Sequence, residues 1–313
     1  MPAVIFVIAL ALIVLAGLSY AGFAIYFADV YTRSKRHRVH GTPADRGLRF
    51  QDVQFLTADR LTLNGWFLES PGARAIVVII HDRDGTRADP RQSLLDLQAD
   101  YVRRGFNVFA FDLRGRGESA GRRDHLGTTE RIDVEAAIAY VRRREPKLPI
   151  VLHSFGFGAA LAIDFAAKSQ LIAGVIADSP VATMRDLLRF HHPRVPDHLF
   201  NLSRWVARRL FRADADALAP IETIGQVGIP ILFIHAEVDL EVPESHTLNL
   251  AAASLSDRHQ IWTLHEHVGH CSYYPVHPRE YMSRCMAFID EIVPARLLQL
   301  LPEQATARSS QAG

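Results

Sequence analysis

With 313 residues, 49% of them hydrophobic and 22% charged, the chain is long enough to bury a large core and too apolar to be disordered. Its formal net charge of +1 disfavours nucleic acid as a partner. Two cysteines, Cys271 and Cys285, exclude a disulfide framework and a paired-cysteine metal motif, and read as free thiols.

The first element is an apolar run. Ala3 to Ala28 carries no charge and as a helix is about 39 Å long, enough to cross a hydrocarbon core of about 30 Å. No basic residue precedes it, as a cleaved signal peptide requires. Residues 1–30 are therefore expected to be a retained transmembrane anchor. The basic cluster Arg33, Lys35, Arg36 and Arg38 follows it, which predicts that the rest of the chain faces the cytoplasm by the positive-inside rule. Residues 31–48 read as a basic linker, 49–300 as one α/β domain and 301–313 as a flexible tail.

Phe50–Phe55 and Leu61–Leu68 alternate as two antiparallel strands around a turn at Ala58-Asp59-Arg60. Apolar strands and helical patterns then alternate: strand 75–80, helix 90–104, strand 106–111, helix 129–144, strand 149–153, helix 156–168, strand 171–177. Near-continuous apolar strands separated by helices predict a mostly parallel, doubly wound sheet covered on both faces. Residues 181–225 break the pattern with helical patches and no strand, and read as a small cap over the carboxyl ends of the strands. Strand 229–235, helix 244–255, strand 260–265 and helix 278–292 complete the domain.

Two serines compete for a nucleophile. Gly117-Glu118-Ser119-Ala120-Gly121 matches G-x-S-x-G literally, but lies in a polar loop with no helix after it. Ser154 has the strand–turn–helix context of a nucleophile elbow, although Leu152 stands where that motif has a small residue. With Ser154 as nucleophile, the acid belongs after a late strand and the base after the last one. Asp239 and His270 occupy those loops, with Glu237 and Glu241 as rivals for the acid and His265 and His267 for the base. His270 would take the serine proton and Asp239 would orient the imidazole. The backbone N–H groups of Phe155 and Arg83 are the expected oxyanion donors.

Together, the strand ending in His81, the loop Asp112–Gly121, the turn His153–Gly158, the segment His235–Pro243 and Val268-Gly269-His270 resemble the α/β-hydrolase superfamily. The closest resemblance is to its membrane-anchored α/β-hydrolase-domain (ABHD) and serine aminopeptidase-like members, over residues 49–293. That resemblance implies the α/β-hydrolase fold with a helical cap, no cofactor or metal, and the triad Ser154, Asp239, His270. The family has His-Gly where this chain has His81-Asp82, and an inward carboxylate there opposes oxyanion charge. The expected activity is hydrolysis of a carboxylic ester or thioester through an acyl-enzyme. An apolar cap beside a membrane favours a lipid-like acyl substrate. Two alternatives are an amide or peptide hydrolase, with Asp197, Asp214 or Asp216 holding a substrate ammonium, and a non-catalytic membrane protein that keeps the fold.

Overall fold

The computed structural model describes residues 1–266 and 268–293. Eight strands form one sheet: β1 (Gln51–Leu56), β2 (Thr62–Leu68), β3 (Ile76–Ile80), β4 (Asn107–Phe111), β5 (Ile150–Phe155), β6 (Gly174–Asp178), β7 (Ile231–Ala236) and β8 (Gln260–Leu264). Their spatial order is β1-β2-β4-β3-β5-β6-β7-β8. The pairs β1–β2 and β2–β4 are antiparallel and all later pairs are parallel. The inner parallel strands are buried along their whole length, which is why they read as unbroken apolar runs rather than alternating ones.

Ten helices accompany the sheet among the described residues: α1 (Pro2–Thr32), α2 (Leu94–Arg103), α3 (Glu130–Arg144), α4 (Gly156–Lys168), α5 (Met184–His191), α6 (Asp197–Leu210), α7 (Pro220–Thr223), α8 (Glu244–Ala253), α9 (Tyr273–Val276) and α10 (Pro278–Ile292). One face of the sheet packs with α3, α4 and the cap helices α5 and α6; the other packs with α2 and α10. The alternating side chains of β5 supply both layers, Leu152 to the first and Val151 and Phe155 to the second.

Helix α1 has two parts. Residues 2–23 are exposed and apolar, a stretch about 33 Å long at about 1.5 Å per residue, which matches the hydrocarbon thickness of a bilayer. An 18-residue window of this helix has mean hydropathy 2.7. From there inward, Ala24, Phe27, Ala28 and Tyr31 are buried. Their spacing of three and four residues puts them on one stripe. That part packs against α6 of the cap: Tyr20 stacks on His198 at 5.7 Å between ring centroids, and Phe27 meets His192 edge-on at 4.8 Å.

The segment after α1 is fastened to the domain rather than free. Ser34 donates to the Gly115 carbonyl, Arg36 donates to the carbonyls of Gly117 (2.8 Å) and Gly121 (2.7 Å), and Lys35 pairs with Asp84 at 2.9 Å. Arg123 ties back to Asp29 at 2.9 Å.

Candidate active site

Strand β5 runs two residues further than its apolar core suggests. Ser154 lies beside Ile80 of β3 and Ala177 of β6, and Phe155 still pairs with Asp178. The turn therefore falls at Gly156, whose φ of +51° lies in the left-handed region that favours glycine, and α4 starts there. This corrects the placement of Ser154. It sits inside the sheet, fully buried, with its hydroxyl donating to the Ile176 carbonyl at 3.0 Å rather than reaching His270. Phe155, expected to donate to an oxyanion, is likewise a buried strand residue whose ring stacks on His153. Ser119 donates to the Asp112 carbonyl at 2.6 Å and accepts from the Asn64 N–H at 2.9 Å. It is structural.

The elbow has no side chain of its own. A Cβ on Gly156 would lie 2.1 Å from Asp82 Oδ1 and 2.9 Å from His270 Nε2. The space a nucleophile would fill is thus occupied by a carboxylate from the loop after β3. The N–H of Phe157, the residue after the turn, donates to Asp82 Oδ1 at 2.8 Å. Phe157, not Phe155, is thus the residue whose N–H faces the space above the turn, and that N–H is turned on Asp82.

The structure brings Asp239 and His270 together. His270 Nδ1 is 2.6 Å from Asp239 Oδ2, and Nε2 is 3.5 Å from Asp82 Oδ2. Asp239 is held in turn by the N–H groups of Glu241 (2.8 Å) and Val242 (2.9 Å) on its other oxygen. The imidazole lies between two carboxylates. Burial opposes charge on His270. Contact with Cys271 and the bonds to Asp239 and Asp82 outweigh it and hold the ring well above its ordinary range. Burial pushes the Cys271 thiol up. Burial alone would raise Asp82. The imidazolium of His270 and the N–H groups of Phe157 and Arg83 outweigh it and hold the carboxyl below the usual range. Asp239 is lowered against its own burial, again by His270. The ring thus faces one carboxylate at each nitrogen.

The surroundings fix this arrangement. His81 Nε2 accepts from the Leu113 N–H at 3.0 Å, which leaves Nδ1–H to hold the Asp82 carbonyl at 2.6 Å. The Arg83 side chain bonds Asp124 at 2.6 Å and the Tyr31 carbonyl of α1, so the last turn of α1 is tied to the loop that carries Asp82. Behind the strand, His153 links Tyr101 (2.7 Å) to Tyr281 (2.9 Å), and Tyr281 donates to Asp178 at 2.8 Å. Burial pushes His153 down to about 3, so it is neutral and structural.

Of the rivals among the described residues, only Glu241 lies at the site, beside Asp82 and His270. His265 and Glu237 pair with each other at 3.0 Å on the surface, and His267 lies outside the described residues. Among the described residues, Asp82, Glu241 and His270 bring ligand atoms within 4.8 Å of one another, but both ring nitrogens of His270 already face carboxylates. The sequence signal for the true turn was present. A frame centred on Gly156 has small residues at Ser154 and Gly158 and removes Leu152 from the motif. A Cβ on Gly158 would lie 2.4 Å from the His81 carbonyl, the close helix–strand approach such a frame requires.

Residues 71–213 match the family model described as serine aminopeptidase, S33 (Hydrolase_4); this match includes Asp82 and Gly156 and ends before Asp239. The uncharacterized protein YfhR of Escherichia coli K12 is 29% identical over 207 residues, covering 64% of this chain and 66% of the relative. The mouse lysophosphatidylserine lipase ABHD12 is 28% identical over 192 residues, 59% of this chain and 47% of the relative. The chain thus spans about two thirds of the bacterial relative and about half of the lipase. The Pyrococcus furiosus esterase Pf2001 superposes with a TM-score of 0.68 at 21% identity, covering 82% of this chain and 98% of that one, which is a likeness of fold.

Proposed function

The chain belongs to the α/β-hydrolase superfamily, and from that premise we propose that it is a membrane-anchored hydrolase whose reactive centre is Asp82, His270 and Asp239, with no serine nucleophile. One observation carries this reading: the Asp82 carboxylate fills the space above Gly156 and faces His270 Nε2. The serine acyl-enzyme route lacks a hydroxyl at that point. The substrate class is an amphiphile drawn from the bilayer. Support comes from the apolar helix α1, from the cap seated on its inner end, and from relatives named as a lipase and an esterase. The basic residues after α1 favour a cytoplasmic domain. Amide hydrolysis with capture of an ammonium is not favoured, because Asp197, Asp214 and Asp216 are each already paired with an arginine.

A second reading, a scaffold without turnover, is favoured by Asp82 occupying the Phe157 N–H at the turn. Full-length protein in detergent, assayed for product release from lysophospholipids and long-chain fatty esters and ethers, separates the two. Turnover lost in both Asp82→Asn and His270→Gln supports the hydrolase. Absence of turnover across the panel supports the scaffold.

A further inference from the structure

Resting on the hydrolase reading of this centre, we infer that Asp82 is a covalent nucleophile toward a saturated carbon, so the substrate class is a long-chain strained ether or alkyl electrophile rather than an acyl ester. Attack by a carboxylate on an acyl carbon gives an anhydride. The substrate carbonyl would also find the Phe157 N–H already bonded to Asp82. Displacement at a saturated carbon creates no such oxyanion and needs no such donor in its first step.

The two oxygens of Asp82 are differentiated for this chemistry. Oδ1 is held by the Phe157 N–H at 2.8 Å, and Oδ2 is turned toward His270 Nε2 at 3.5 Å. In the first step an Oδ2 lone pair forms a bond to the substrate carbon. The carbon–oxygen bond of the strained ether breaks, its electron pair stays on the departing oxygen, and that oxygen takes the Nε2 proton of His270. Asp82 becomes a neutral ester and His270 a neutral imidazole. In the second step water attacks the Asp82 carboxyl carbon and gives its proton to His270 Nε2. The negative charge develops on Oδ1, which already lies under its N–H donor. Collapse breaks the bond from the carboxyl carbon to Oδ2. Oδ2 leaves with the product as its new hydroxyl and takes the His270 proton; the second water proton, left on the Asp82 carboxyl, passes to His270 Nε2 and restores the starting pair. The net reaction is strained ether plus water to diol. The water oxygen remains on Asp82 after one turnover.

A serine triad starts with a neutral imidazole, because the base acts first. Here the imidazole sits between two carboxylates and starts charged, and this reaction needs the acid first and the base second. Asp239, 2.6 Å from Nδ1, orients the ring through both steps.

The test uses full-length protein in detergent, a long-chain terminal epoxide, dodecyl bromide and heavy-oxygen water. In a single turnover of the epoxide, wild type is expected to retain one heavy oxygen on the peptide carrying Asp82. His270→Gln is expected to lose epoxide opening. It should still be alkylated by dodecyl bromide, whose leaving group needs no proton, and stall as a dodecyl ester at Asp82. Asp82→Asn is expected to show neither label nor adduct. Heavy oxygen in the first-turnover diol with none on Asp82, or an adduct that survives Asp82→Asn, overturns the inference. Hydrolysis of fatty esters without any label or adduct at Asp82 overturns it while leaving the hydrolase reading in place; inertness toward esters and electrophiles alike overturns both.

Discussion

Asp82 and Asp112 close the neighbouring parallel strands β3 and β4, and they are built alike. Each is buried. Each fills the space over a glycine of positive φ, 2.1 Å from where a Cβ would stand on Gly156 or Gly117. Each accepts backbone N–H groups, Asp82 from Phe157 (2.8 Å), Asp112 from Arg87 (2.7 Å) and Glu118 (3.0 Å). The difference is the cation that faces them. Asp112 bonds the Arg87 guanidinium, which does not give up its proton near neutral pH. Asp82 faces the His270 imidazolium, which can. One geometry makes a fastener with arginine and a reactive pair with histidine.

The largest effects should separate these two roles. Asp82→Asn should lower turnover by roughly 10³-fold or more, as loss of a reacting group does, with a well-formed fold by circular dichroism. Asp112→Asn should act through stability instead, costing up to about 3–5 kcal/mol because it leaves the buried Arg87 with only the exposed Glu118 as a charged partner. Denaturant titration of both variants checks the contrast. Equal stability losses would erase it.

A smaller effect follows from pH. His270 is held above its ordinary 6.5, so its contribution is complete below that pH and is lost as pH rises through the higher folded value. Asp82 and Asp239 are held below 3.8, so theirs is complete above that pH and is lost as pH falls through the folded values. Both are complete between about pH 4 and 6.5. The stability gap between wild type and Asp82→Asn should be widest there and narrow on either side. Urea midpoints across that range measure it, and a gap independent of pH would show that the pair is not ionic.

Most of the architecture was legible in the sequence. Helix α10 occupies the expected 278–292 and α4 the expected 156–168, because their apolar spacing and flanking residues suffice. The central site was not, and the error is two residues long. The apolar run Ile150–Leu152 marks where β5 is greasy, not where it ends. Ser154 extends the strand because the Ile176 carbonyl satisfies its hydroxyl inside the sheet. Polar residues in a parallel sheet are invisible to periodicity when a neighbouring strand supplies the partner. The carboxylate at Asp82 read as a departure from the family's His-Gly. Only the folded loop shows that Gly156 and Asp82 are complementary changes, a side chain missing on one element and supplied by another.

The smallest effect belongs to the serine itself. Ser154→Ala should cost about 1 kcal/mol for one neutral hydrogen bond and leave turnover unchanged. A loss of activity comparable to that of Asp82→Asn would restore it as the nucleophile.

The most direct measurement of the central claim is covalent labelling by a fluorophosphonate, which reports an activated serine. Wild type should not be labelled. The double variant Asp82→Gly with Gly156→Ser, which clears the elbow and puts a hydroxyl beside His270 Nε2, should become labelled at position 156. Labelling of wild type that disappears in Ser154→Ala would contradict the account.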